Sequence, residues 1–151
     1  MTTTKSIPIP WLRQRIKSSG HYYYFEVPNS NPRQEIALGP NREKALVHRQ
    51  SLLIRYWYEH PLSNDPLVNL LLQYQNIHVP LLDSYSQQEN LSSLKNLVNF
   101  FSSHPCAVCE IESPLVSHQY LMWRNPKLPM RAKSDLSLLK RIDKVSQSWY
   151  Q

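Results

Sequence analysis

The sequence predicts an α+β protein in which a small three-stranded antiparallel sheet with one helix precedes an all-α four-helix bundle. Strand-forming aromatic and β-branched runs, separated by turn residues, occupy residues 11–39. Apolar residues at helical spacing recur from about residue 42 to the end of the 151-residue chain. A hydrophobic content of 41% excludes general disorder, and no apolar run is long enough to span a membrane.

The first predicted domain covers residues 11–60 and follows a flexible tail at residues 1–10, which is rich in Thr, Ser and Pro. Alternating residues after Trp11 predict a strand, and Ser18 to Gly20 provide a turn into an aromatic second strand. A polar turn then leads to a third strand that ends at Gly39. A helix is expected from about 42 to 58, because apolar residues recur there at helical spacing.

The register of the first hairpin decides which side chains share the open face of this sheet. A three-residue loop pairs Lys17 with His21 and Arg15 with Tyr23. That open face carries Arg13, Arg15, Lys17, His21, Tyr23 and Arg33. A two-residue loop places Tyr22 and Tyr24 beside the arginines instead, because a one-residue slip exchanges the two faces. Either face could enter the major groove of DNA, or it could be an ordinary solvated strand surface.

The second predicted domain is a helical bundle over residues 67–151, after a linker at 61–66. Proline and capping residues predict a helix at about 66–75 and one from Ser113 to just before Pro126. Apolar residues at helical spacing predict helices at about 84–103 and 134–150. Basic residues in the final loop and helix have no matching acidic stripe, which favours a surface that faces phosphates. These residues are Lys127, Arg131, Lys133, Lys140 and Lys144.

The charge distribution also favours a polyanionic partner. The net charge is +6, and it is carried by the two ends of the chain. Residues 1–60 hold nine basic and four acidic side chains, and residues 123–151 hold seven basic and two acidic ones. The segment between them is acidic, with one lysine and five carboxylates. Two basic regions of this kind are typical of proteins that bind nucleic acid, although many soluble proteins are equally basic.

Two segments resemble the phage integrases of the tyrosine-recombinase family. Gly20, the tyrosines at 22–24, Leu38–Gly39 and Ala45 are similar to the amino-terminal arm-binding domain of that family. The runs LKNLVNFF, EIES, YLMWR and LSLLKRIDKVSQSWY are similar to its core-binding domain, a small four-helix bundle with a SAM-like fold. The similarity spans roughly residues 11–151. It rests on the order and spacing of these segments, since no single one is specific.

The resemblance implies a DNA-binding protein of DNA integration and site-specific recombination. The first domain would bind arm-type sites on double-stranded DNA, and the second would bind core-type sites. Full-length integrase or other recombination proteins are the further partners it implies, in the cytoplasm of a bacterium or in association with its nucleoid. The family's catalytic domain would begin near Gln151, so we expect no catalytic residues, no enzymatic activity and no cofactor in this chain.

Cys106 and Cys109 suggest an alternative function, a small intracellular adaptor with a structural zinc site. The pair has Cys-x-x-Cys spacing, and His104 and His118 lie nearby in the sequence. Cysteine is also a common small buried residue, and a location for His118 inside a helix argues against coordination. The two cysteines are too few for a scaffold held together by disulfides, which favours a reducing compartment.

Overall fold

The computed structural model of the protein describes residues 9–124 and 129–150. The described chain contains one three-stranded antiparallel sheet and five α-helices, which confirms the α+β class. It divides into two compact units, and the boundary falls between Tyr58 and Glu59. Within the described ranges, no helix is both long and apolar enough to cross a membrane.

The sheet of the first unit has strands in the order β1 (Leu12–Lys17), β2 (Gly20–Glu26) and β3 (Glu35–Gly39). β1 pairs with β2 through Lys17 opposite Gly20 and Arg15 opposite Tyr22. The hairpin therefore has a two-residue loop, and the register that paired Lys17 with His21 is wrong. Ser18 and Ser19 make the turn, and Gly20 follows it with a φ of +134°. Glycine tolerates this conformation, which other residues rarely adopt.

Substitution of Gly20 tests this turn. We expect Gly20→Ala to destabilise the hairpin by about 1–3 kcal/mol, because alanine is strained at a positive φ even where there is space for its Cβ. Hydrogen exchange of the β2 backbone amides would measure the loss. Ser18→Ala, in the same turn but at an ordinary φ, should change the stability by less than about 0.5 kcal/mol. Equal protection of the amides in both variants would contradict this account of the turn.

The helix of the first unit, α1 (Arg42–Glu59), buries one side along its length. Its buried residues are Ala45, Arg49, Leu53 and Trp57. In β2, the buried side chains are Tyr23 and Phe25, on the face opposite the arginines of β1. Trp11 meets Trp57 edge-on at 5.9 Å between ring centroids, and Arg49 Nε donates to the Pro10 carbonyl at 2.9 Å. The segment before β1 is thereby fixed to α1.

The second unit contains four α-helices: α2 (Pro66–Ile77), α3 (Ser84–Ser103), α4 (Pro114–Arg124) and α5 (Pro129–Gln147). Short 3₁₀ turns occur at Val79–Leu81, Val108–Glu110 and Ser148–Tyr150. The Asp65 and Asp83 carboxylates cap the first turns of α2 and α3 by accepting backbone N–H bonds. All four helices contribute to one apolar core, in which Tyr120 and the adjacent rings of Phe100 and Phe101 are buried.

The last helix begins earlier than the sequence predicts. α5 begins at Pro129 rather than near Ser134, so Arg131 and Lys133 lie on a helix and not in a loop. Proline suits the first turn of a helix because its missing N–H would have no intrahelical partner there. The apolar spacing in the sequence predicted this helix only from about Ser134, although Ala132, just before that point, is also buried.

Candidate nucleic-acid interface

The solvent-facing side of the sheet carries a cluster of arginines bound to carboxylates. Arg13 Nε donates to Glu26 Oε2 at 2.6 Å, and Arg33 Nε lies 2.8 Å from Glu26 Oε1. Arg15 Nη2 donates to Glu35 Oε2 at 2.6 Å. The three arginine side chains are 45–55% exposed, whereas the two glutamates are about 20% exposed. The carboxylates therefore lie below the guanidinium groups, which form the outer layer of this surface.

Two tyrosines of β2 lie beneath the cations on the same face. The Arg15 guanidinium carbon is 4.7 Å from the Tyr24 ring centroid. Lys17 Nζ is 5.1 Å from the Tyr22 ring centroid and 5.7 Å from that of Tyr24. Such cation–π contacts favour one arrangement of a long side chain over its many alternatives. We call the set Arg13, Arg15, Lys17, Tyr22, Tyr24, Glu26, Arg33 and Glu35 the sheet face.

Glu26 of the sheet face stays ionised to lower pH than a free carboxylate. The hydrogen bond from Arg13, with the charges of Arg13 and Arg33, holds the pKa of Glu26 below its ordinary value. The same hydrogen bond raises the pKa of Arg13. Four cations and two carboxylates lie on the sheet face, so it keeps a positive balance near neutral pH and can attract a polyanion.

The structure places the predicted sheet residues as follows. Arg13, Arg15, Lys17 and Arg33 lie together on the sheet face, as expected. Tyr23 and His21 do not, because the two-residue loop turns them to the other side. Tyr23 is buried there, and His21 is exposed and accepts a hydrogen bond from the Gln14 amide at 2.7 Å. Tyr22 and Tyr24 take the places that the wrong register gave to His21 and Tyr23.

The predicted basic residues of the second unit do not form one surface. Lys133, Lys140 and Lys144 are exposed, and their spacings of seven and eleven residues place them along one side of α5. Arg131 is also exposed, but it lies nine residues before Lys140 and so about half a turn away around the helix. There it lines a polar cavity with Arg124. Lys127 lies outside the described residues.

A buried carboxylate, which was not predicted, organises the surroundings of Arg124. Asp135 on α5 has a side chain only 5% exposed. Its Oδ2 accepts a hydrogen bond from the Tyr120 hydroxyl at 2.6 Å and one from Arg124 Nε at 3.1 Å. The sequence could have predicted this burial, because Asp135 lies between Ala132 and Leu139 on the apolar side of α5. A charge at a core-facing position requires a partner.

This hydrogen bond predicts a pH dependence of the second unit. Burial, and then the hydrogen bond to Asp135, raises the pKa of Tyr120 above its ordinary value of 10.0. The folded chain therefore keeps a proton that an unfolded tyrosine loses. The contribution of Tyr120 to stability is complete below pH 10 and decreases as the pH rises above it.

Urea unfolding followed by NMR signals of the second unit, at about pH 8 and about pH 11, would measure this decrease. Tyr120→Phe should lower the stability at the lower pH and show a smaller further loss at the higher pH. Tyr85→Phe is a matched control, because Tyr85 is exposed and should leave both values unchanged. If the unchanged protein and Tyr120→Phe lost the same amount of stability between the two pH values, Tyr120 would not be the group responsible.

Cys106 and Cys109 do not gather a set of metal ligands. In residues 9–124 and 129–150, no group of three or more His, Cys, Asp or Glu side chains is placed to hold a metal ion. Cys106 is half-buried against the apolar core, and Cys109 is exposed. His104 stacks on the Phe100 ring at 4.4 Å between centroids. The geometry therefore does not support the zinc alternative, and Cys106 has the packing role that is common for cysteine.

The sheet face is the best-organised charged surface in the described part of the chain, since its cations are held by both carboxylates and rings. Comparison of the chain with protein-family models, curated proteins and solved structures found no match.

Proposed function

We propose that the protein binds double-stranded DNA and that the sheet face is its principal contact surface. The observation that carries the proposal is the layered arrangement of this face, with exposed guanidinium and ammonium groups above two tyrosine rings and two carboxylates. Guanidinium groups bind phosphate oxygens and guanine edges through paired hydrogen bonds. A small antiparallel sheet is also narrow enough for the major groove.

The carboxylates of the sheet face favour DNA over a less structured anion. Glu26 holds Arg13 and Arg33, and Glu35 holds Arg15, so less side-chain entropy is lost when DNA binds. They also reduce the positive charge of the surface, which weakens nonspecific attraction. A surface that attracted polyanions through net charge alone would not need these two carboxylates. We therefore propose sequence-selective binding rather than general adhesion to polyanions.

The helical unit supplies a second basic surface on α5, formed by Lys133, Lys140 and Lys144. In the proposed function this stripe contacts backbone phosphates, because single lysines provide charge but little geometric selectivity. The integrase resemblance assigns arm-type sites to the first unit and core-type sites to the second. A role in site-specific recombination is part of the proposal and rests on that resemblance.

Mapping of the bound surface by NMR tests the proposal directly. A short mixed-sequence duplex is added to the isotope-labelled chain at low salt, and backbone signals are followed. We expect the signals of Arg13, Arg15, Tyr22 and Tyr24 to shift or broaden, while those of Val47 and Ser51, on the exposed side of α1, stay unchanged. Changes confined to α1, or none at all, would reject the sheet face as the contact surface.

A further inference from the structure

The polar cavity of the second unit brings two arginines together with serine hydroxyl groups. It has a volume of about 260 Å³ and lies between α3, α4 and α5. Two guanidinium groups and three hydroxyl groups contribute to its lining, together with two carboxylates. The residues that can donate into it are Ser92, Ser93, Arg124 and Arg131, since the Ser134 hydroxyl donates to the Met130 carbonyl at 3.0 Å. Hydroxyl and guanidinium groups both donate hydrogen bonds to phosphate oxygens.

The charge of the buried carboxylate in this cavity is already balanced. Asp135 accepts hydrogen bonds from Tyr120 and from Arg124 Nε. This pairing fixes the guanidinium plane of Arg124, and the Nη groups of that plane are then the donors that can reach a ligand. Glu89, the other carboxylate of the lining, is exposed to water, which weakens its repulsion of an anion.

Arg131 provides the second cation and the adaptable part of the site. Its side chain is exposed on α5, whereas Arg124 is held 22% exposed at the end of α4. The fixed guanidinium of Arg124 and the exposed guanidinium of Arg131 can together contact a tetrahedral anion, while Ser92 and Ser93 donate from α3. A phosphate group fits within the volume of the cavity and leaves room for water.

We propose that this cavity binds a phosphate group between Arg124 and Arg131. Two sources share this chemistry, a backbone phosphate of nucleic acid and a free phosphorylated compound. If the source is nucleic acid, the proposal rests on the proposed DNA binding and adds a contact that is separate from the lysine stripe of α5. If the source is a free compound, the cavity is independent of DNA.

Inorganic phosphate is the probe for the first experiment. It is titrated into the full chain while the Nε–H signals of Arg124 and Arg131 are followed by NMR, with sodium chloride at equal ionic strength as the reference. We expect saturable shifts with phosphate only. Arg131→Gln should weaken the apparent phosphate affinity about tenfold, since one charge-assisted contact is lost.

Lys44→Gln is the matched control, because it removes an exposed cation of the first unit that belongs to neither of the proposed phosphate-binding surfaces. It should leave the phosphate affinity within about twofold of the unchanged protein. Shifts that do not saturate, that chloride reproduces, or that both variants weaken equally would overturn the site.

A second titration with a short duplex identifies the source of the phosphate. Movement of the Arg124 signal by the duplex, reversed by excess inorganic phosphate, would assign the site to nucleic acid. Saturable phosphate binding with no response of Arg124 to the duplex would assign it to a free phosphorylated compound. If no duplex binds anywhere on the chain, the proposed function fails, while the result with inorganic phosphate still decides the cavity.

Discussion

Replacement of both Arg15 and Lys17 by alanine is expected to weaken duplex binding about 100-fold at low salt. The two side chains lie next to each other above Tyr24, so the substitution removes the centre of the sheet face. Each lost phosphate contact also lowers the number of counterions released on binding. The slope of the logarithm of the binding constant against the logarithm of the salt concentration should therefore become shallower by about 2. Fluorescence anisotropy at several salt concentrations measures both quantities.

A charge-matched control separates the sheet face from net charge. Arg42 and Lys44 are exposed at the beginning of α1, in the same unit. Their joint replacement by alanine removes the same charge and should weaken binding by less than about threefold, through the general field alone. Hydrogen exchange of the Phe25 amide shows whether each variant keeps its fold. Equal weakening by the two double variants would mean that charge, and not this face, accounts for binding.

Removal of the Asp135 carboxylate is expected to have the largest effect on stability. Asp135→Ala leaves the buried Tyr120 hydroxyl and the Arg124 guanidinium without their shared acceptor. Loss of one partner from such a group costs about 3 kcal/mol, because the remaining polar atoms stay out of water. Urea unfolding followed by NMR signals of the second unit would measure the change, and signals of the first unit serve as an internal reference.

Asp143→Ala provides the comparison on the same helix. Asp143 is only half-buried, so its removal should change the stability by less than about 1 kcal/mol. If the two variants were equally stable, the hydrogen bonds of Asp135 would contribute little and the orientation of Arg124 would need another cause. The phosphate site proposed above depends on that orientation.

Much of the fold follows from local sequence signals. The α2 and α3 helices begin at Pro66 and Ser84, where they were expected, and the Asp65 and Asp83 carboxylates cap them in the structure. The first strand was predicted from the alternation of its residues, the second from its aromatic run, and the third from the turn that precedes it and the glycine that ends it. The hairpin register was left open, since Ser18, Ser19 and Gly20 suit a loop of two or three residues. Only the pairing of β1 with β2 decides between them. The observed pairing places Tyr22 on the face of the arginines and Tyr23 on the other face, which is the reverse of the arrangement that a three-residue loop would give.

The buried charges were not predicted, because their partners are far away in the sequence. Arg49 donates to the carbonyl of Pro10, 39 residues earlier, and Asp135 accepts from Tyr120, 15 residues earlier. A signal was nevertheless present for both. Arg49 lies midway between Ala45 and Leu53, at the spacing of the buried side of α1. A charged residue at a core position of a helix therefore predicts that a specific polar partner is buried beside it.

The most direct test of DNA binding is the titration of a labelled mixed-sequence duplex with the unchanged protein, followed by fluorescence anisotropy at several salt concentrations. The sheet face and the α5 stripe together predict saturable binding at low salt, with an affinity that falls steeply as salt increases. Folded protein that leaves the anisotropy unchanged at low salt would contradict the account.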